Sequence, residues 1–146
     1  MHRNPVPTVD VIIYDQERIA LIRRGQKPFK GQWALPGGFV EYGETVEEAA
    51  VRETREETNL DVRLVDVLGV YSAPDRDPRK HTISTVFVAE AVGGELMGGD
   101  DAADAAWLPL KSLDPSSLAF DHSTIVRDMI AWTDRRRAFW STKERN

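Results

Sequence analysis

Gly37-Gly38-Phe39-Val40-Glu41-Tyr42-Gly43-Glu44, continued through Arg52-Glu53-Thr54-Arg55-Glu56-Glu57 to Leu60, is a glycine-rich loop feeding a carboxylate-bearing helix. Thr45 followed three residues later by Glu48 is a capping box, whose hydroxyl and carboxylate satisfy orphan amides, so the helix is predicted to start near Val46. On that helix Glu53, Glu56 and Glu57 stand at i, i+3 and i+4 and project from one face. Crowded like charges are costly there unless a cation or a solvated surface screens them, although Arg52 pairs with Glu56 at i+4.

Two readings compete for this face. Glu-rich helices are ordinarily just solvated. A divalent metal site is the sharper reading, because all-oxygen ligands at this spacing suit Mg²⁺ or Mn²⁺. The Pro36-Gly37-Gly38 turn favours the second, since it lets backbone groups approach a ligand closely, which a solvated helix does not require.

Gly38, five residues, Glu44, seven residues, Arg52-Glu53, then Glu56-Glu57 and Leu60 resembles the box of the Nudix hydrolases, G-x5-E-x7-R-E-U-x-E-E-x-G-U with U aliphatic. The chain departs from it at Thr54, where the family has an aliphatic residue, and at Asn59, where it has glycine. Thr54 keeps a methyl group for packing, so that departure is expected to cost little. Asn is the next-best residue for the left-handed conformation that ends a helix, so the same turn is expected. The resemblance covers about Val9 to Leu110 and implies an α/β fold, the Nudix-type α/β/α sandwich on a mixed β-sheet. It also implies that Glu53, Glu56 and Glu57, with a backbone carbonyl at Gly37 or Gly38, hold two or more Mg²⁺ (or Mn²⁺) ions. Arg52 would orient the glutamates, and Glu44 would brace the loop against the helix.

At 146 residues the chain is expected to be one domain, residues 1–146. It has no cysteine, which excludes disulfides and thiolate metal sites. No apolar run approaches a membrane span, and Met1-His2-Arg3-Asn4-Pro5 is not followed by the apolar core of a signal peptide, so the expected location is cytoplasmic. The net charge is −5, and between Glu41 and Asp61 eight acidic residues face only Arg52 and Arg55. The remaining 16 acidic and 17 basic residues nearly cancel, so the acidity belongs to the helix region. A polyanion reaches that region only through cations, and no basic stripe for duplex nucleic acid exists.

Ahead of the loop, Pro7–Tyr14 and Arg18–Arg23 read as a β-hairpin and Gln32–Leu35 as a short strand. Arg23, Arg24 and Lys27 face either water or a phosphate, and Trp33 is either core or a stacking platform. After the helix, Val62–Tyr71 and Thr82–Val92 are long β runs joined by the loop Ser72–His81. A loop that is charged with both signs and stiffened by proline suits contact with a ligand. Its run Ala73-Pro74-Asp75-Arg76-Asp77-Pro78-Arg79 resembles a segment of the ADP-ribose pyrophosphatase-like Nudix branch. Arg76 and Arg79, with Arg23 and Trp33, are the expected substrate contacts.

Gly93–Asp101 is glycine-punctuated and reads as a loop or a pair of β turns, and Ala105–Pro109 reads as the last strand. A general base that closes on substrate suits a carboxylate in such a segment. By resemblance to family members with the base here, Asp101 is the expected catalytic base among Asp100, Asp101 and Asp104, with Glu56 and Glu57 as rivals. A last helix is N-capped by Asp121 and carries the apolar stripe Ile125, Met129 and Trp132.

The resemblance implies hydrolysis of a nucleoside diphosphate linked to another moiety, first among them ADP-ribose to AMP and ribose 5-phosphate. The same box serves a nucleoside triphosphate pyrophosphohydrolase equally well, and a non-catalytic ligand sensor on the Nudix scaffold is the reading of a different class. The expected partners are a small nucleotide and, as in many such enzymes, a second copy of the chain in a homodimer, with neither nucleic acid nor membrane.

Overall fold

A computed structural model of the chain describes residues 2–99, 102–136 and 138–139. Strands β1 (Val6–Asp15) and β2 (Arg18–Arg24) form the expected hairpin, followed by β3 (Trp33–Ala34) and β4 (Gly37–Phe39). Helix α1 (Val46–Thr58) leads to β5 (Leu60–Tyr71), β6 (Thr82–Gly94), β7 (Ala102–Pro109) and helix α2 (His122–Arg135). The strands run in the order β3-β2-β1-β6-β5, with β4 pairing β1 and β7 pairing β2. The β1–β6 pair is parallel and the other pairs are antiparallel, so the sheet is mixed as expected.

Side-chain parity builds the layers. Successive residues of a strand face opposite sides, so Val9, Val11 and Ile13 of β1 and Phe87 and Ala89 of β6 pack with Ala49 and Ala50 of α1. Their neighbours Ile12, Val86 and Val88 face the other way, onto Ile125, Val126, Met129 and Trp132 of α2. The result is the α/β/α sandwich. Each of those large α2 side chains contributes about 1.5–3 kcal/mol by leaving water. Tyr71 Oη adds a 2.6 Å hydrogen bond to Asp128 Oδ2 that ties α2 to β5.

Two expectations need revision. Pro36-Gly37-Gly38 is not a bare turn, because Gly37, Gly38 and Phe39 pair with Asp10, Val9 and Thr8 of β1 as a short strand. The last strand begins at Ala102, earlier than Ala105, since β2 offers a ladder as far as Arg24. Strand β5 lies at the sheet edge, with Val65, Val67 and Val70 exposed and breaks in register at Asp61/Val62, Leu64/Asp66 and Val67/Gly69. Phe139 lies against this edge, its N–H donating to Leu68 O at 2.7 Å and its carbonyl pressed on Gly69 where a Cβ would stand. Among the described residues no helix is long and apolar enough to cross a membrane.

Candidate functional site

The capping box forms as read. Glu48 N–H donates to Thr45 Oγ1 at 3.0 Å, and Thr45 N–H donates to the Glu48 carboxylate at 2.9 Å. At the far end Asn59 adopts the left-handed conformation (φ 64°) and its N–H closes on Arg55 O. With both ends fixed, Arg52, Glu53 and Glu57 are directed at the glycine loop. Arg52 makes a bidentate pair with Glu44 at 2.7 and 3.0 Å, donates to Glu53 at 2.9 Å and Glu56 at 3.2 Å, and reaches Phe39 O at 3.0 Å. One guanidinium thereby fastens the loop to the helix and sets the glutamates' orientation. Its hydrogen bonds, with the Glu41 N–H, hold the Glu44 carboxyl down at about 2.

Glu53 and Glu57 are the strained pair. Burial pushes the Glu57 carboxyl up to about 8, and the neighbouring Glu53 adds to this against the 3.0 Å bond from Gly37 N–H. Burial likewise raises Glu53, opposed by Arg52. Two carboxyl groups pressed together in this way call for a proton or a cation. Gly38 makes room for them, since a Cβ there would stand 2.6 Å from the Glu53 carboxylate. Among the described residues no three acidic or imidazole groups already converge as a metal cluster, because Glu56 is drawn toward Arg52 and solvent. The donor set itself, the adjacent carboxylate oxygens of Glu53 and Glu57 against the Gly37-Gly38 backbone, fits a hard divalent cation.

A cleft runs over this face, lined by Glu53, Glu56 and Glu57 from α1, by Gly37 and Gly38, and by Arg24, Lys27 and Arg79 from other elements. Three carboxylates and three cationic side chains in one cleft suit an anion that is itself bridged by metal. The cleft shares Arg24, Gly38, Glu57 and Arg79 with an inner cavity that extends to Asp10, Arg76, Phe120 and His122.

The inner wall is a buried ionic network on the α2 side of the sheet. Arg76 donates to Asp121 at 2.9 and 2.8 Å, to Thr82 at 2.8 Å and to Asp10 at 3.4 Å. Ser84 donates to Asp10 at 2.6 Å, and Leu35 N–H donates to His122 Nδ1 at 3.0 Å, leaving the His122 proton on Nε2, 3.5 Å from Asp10. Burial alone would raise the Asp10 carboxyl, but His122, Arg76 and Ser84 outweigh it and hold it below the usual range. Asp121 stands at the N-cap position of α2 without capping it, because its carboxylate is taken by Arg76.

The expected site residues therefore separate. Arg52, Glu53, Glu56, Glu57, Gly37 and Gly38 come together, and Arg79 joins them, held by Asp77 at 2.8 Å. Arg76 borders the inner cavity with its side chain 5% exposed and its guanidinium committed to protein partners. Arg23 stacks over Trp33 at 4.7 Å, and neither is among the described residues lining the cleft. Asp100 and Asp101 lie outside the described residues. The segment before them is tied to α1, since Met97 N–H donates to Thr58 O at 2.9 Å and Gly99 N–H to Glu57 O at 3.0 Å. Asp104 is exposed and its carboxylate accepts from Ala105 N–H. Asp10, His122 and Phe120 were not read from sequence. Strand alternation in β2 puts Arg23 and Arg24 on opposite sides, and it is Arg24 that lines the cleft.

A model of the NUDIX domain family matches residues 4–132. An ADP-ribose pyrophosphatase of Methanocaldococcus jannaschii is 53% identical over 132 residues, which is 90% of this chain and 77% of that one. A NUDIX hydrolase structure from Nitrosomonas europaea superposes with a TM-score of 0.82 over 97% of this chain and 80% of that one, at 24% identity, a likeness of fold. The NUDIX domain of Shewanella oneidensis NrtR, solved with ADP ribose, gives a TM-score of 0.80 at 25% identity, covering 90% of each chain.

Proposed function

The chain belongs to the NUDIX domain family, and from that membership we propose that it hydrolyses the pyrophosphate bond of ADP-ribose, giving AMP and ribose 5-phosphate. The observation that carries the chemistry is the raised, mutually pressed Glu53–Glu57 pair in a cleft that also presents Arg24, Lys27 and Arg79. The choice of substrate is supported by the 53% identity to an ADP-ribose pyrophosphatase.

In this reading Glu53, Glu56 and Glu57 hold divalent cations, two or more Mg²⁺ or Mn²⁺ ions, with backbone oxygens of Gly37 and Gly38. Such ions neutralise phosphate oxygens and make bound water more acidic. Arg52 keeps Glu53 turned toward the loop and holds Glu56 at the edge of the cleft. Asp101 takes a proton from water as the water oxygen bonds to one phosphorus, the bond from that phosphorus to the bridging oxygen breaks, and both phosphates leave as monoesters, AMP and ribose 5-phosphate. The tie of Met97 and Gly99 to the last turn of α1 supports this, since these residues precede Asp101 by only a few positions and are held against the helix that carries the glutamates. Arg79 borders the substrate, whereas Arg76 acts as a brace between Asp10 and Asp121. A single domain working in the cytoplasm suits the cysteine-free composition, and light scattering decides between monomer and homodimer.

Chromatographic analysis of products from ADP-ribose, nucleotide sugars and nucleoside triphosphates tests the reading. AMP and ribose 5-phosphate formed with Mg²⁺ and abolished by EDTA are expected. Pyrophosphate released from triphosphates in preference would overturn the substrate. Glu53→Gln with kcat within about tenfold of wild type would overturn the metal assignment.

A further inference from the structure

Two bulky aromatic residues of this chain adopt the left-handed backbone conformation, Phe29 at φ 62° and Phe120 at φ 54°. Side chains of this size rarely do so, and such backbone persists only where its surroundings over-determine it. The surroundings here do. Ala119 N–H donates to Trp33 O at 2.8 Å, His122 N–H to Ala119 O at 3.1 Å, and Leu35 N–H to His122 Nδ1 at 3.0 Å, so Phe120 is pinned on both sides to β3 and the residue after it. Phe29 sits in a loop closed by Arg24 N–H to Gln32 O and Gly31 N–H to Arg24 O, with Gln32 N–H donating to Phe29 O.

The two rings meet edge to face, with centroids 4.9 Å apart, and the Phe120 ring carries two guanidinium groups, Arg24 at 4.9 Å and Arg79 at 5.8 Å. Arg24 Nε also donates to Pro28 O at 2.6 Å, and Asp77 accepts from Arg79 Nε at 3.1 Å and Nη2 at 2.8 Å. Both arginines line the cleft with Glu53, Glu56 and Glu57. A ring face attracts a cation through its quadrupole and adds no competing negative charge to the cleft.

We infer that Phe29 and Phe120 are positioning residues, a strained aromatic pair that gathers Arg24 from the end of β2 and Arg79 from the loop after β5 into one cationic rim for the diphosphate of the substrate. The inference rests on the proposed pyrophosphatase reading for the identity of the anion. Arg24 and Arg79 would contact diphosphate oxygens from the side of the cleft facing the glutamates, and the aromatic pair acts through them.

The test compares Phe120→Ala, Phe120→Gly and Phe120→Tyr in the full chain. Glycine relieves the backbone strain and removes the ring, whereas tyrosine keeps the ring. Expected for both Ala and Gly is a KM for ADP-ribose raised about tenfold with kcat within about twofold, and for Tyr a KM near wild type. Calorimetric binding of inorganic pyrophosphate in Mg²⁺ is measured alongside, with Kd weakened in parallel for Ala and Gly only. Unchanged KM and Kd in Ala and Gly would overturn the inference, as would a fall in kcat alone or a failure of Tyr to restore binding. If the wild type does not cleave ADP-ribose yet Kd for pyrophosphate follows the ring, the pyrophosphatase reading fails and the rim stands.

Discussion

Replacing Gly38 by alanine isolates one carboxylate. Gly38 is not in the left-handed region, so alanine brings no backbone strain, and the whole effect comes from one methyl group. That methyl would stand 2.6 Å from the Cδ and Oε1 of Glu53. Ordinary contact needs roughly 3.5 Å, so the carboxylate must retreat by about 1 Å. It is the free end of a flexible side chain and can move, which keeps the fold intact but breaks the 2.9 Å bond from Arg52 and misplaces the Glu53 oxygens. A misplacement of that size costs on the order of 10²-fold in rate, or about 2.7 kcal/mol. We expect kcat/KM for ADP-ribose to fall by about that factor and the Mg²⁺ requirement to rise, with the Tm changed by no more than a few degrees. Gly37→Ala is the contrast, because its methyl would overlap the Val9 carbonyl, which is backbone, and Asp10. That variant should lose stability first. Wild-type kcat/KM and wild-type Mg²⁺ dependence in a folded Gly38→Ala protein would refute the placement of Glu53 at the reacting centre.

Three further outcomes are expected. Because the Glu57 carboxyl is raised to about 8 from an ordinary 4.5, it stabilises the metal-free fold fully below about pH 4.5, and that contribution is lost as pH rises through 8. In EDTA, Glu57→Gln should therefore flatten the decline in urea stability between pH 5 and 9 by roughly 1–3 kcal/mol while abolishing turnover, and an unchanged slope would deny the shift. Arg76→Met leaves buried Asp10 and half-buried Asp121 without their cation and should cost about 3–5 kcal/mol of stability, measured by denaturant titration, and a well-folded variant altered only in KM would return Arg76 to the substrate. Thr54→Val should stabilise by about 1 kcal/mol with activity retained, since the Thr54 hydroxyl is buried without a partner among the described residues, and a less stable variant would mean that the hydroxyl is satisfied.

The elements nearest the box were the easiest to read from sequence, because their signals are local. Thr45 and Glu48 cap the helix through atoms three residues apart, and Asn59 ends it by its own backbone preference. The expectation that Thr54 costs little rests on its methyl, and the structure adds that its buried hydroxyl has no partner among the described residues. What could not be read depends on pairing across the fold. Asp121 looked like a helix cap, and only the approach of Arg76 from 45 residues away takes its carboxylate elsewhere. Asp10 sits in an apolar run of β1, where parity alone turns it inward to Ser84, Arg76 and His122. Arg24 and Arg23 are neighbours of one chemistry facing opposite sides, and the choice between them needed the position of Phe120.

Phe139 also bears on how copies of this protein avoid one another. A twelve-residue strand at a sheet margin with Val65, Val67 and Val70 turned outward is a template for edge-to-edge aggregation. The three slips in register keep β5 from presenting a straight ladder, and Phe139 occupies the backbone at Leu68 and Gly69. A purification tag or a truncation that lifts Phe139 away leaves the catalytic cleft intact and uncovers that template, so the first sign of such a change is loss of solubility on concentration, with specific activity per soluble molecule preserved.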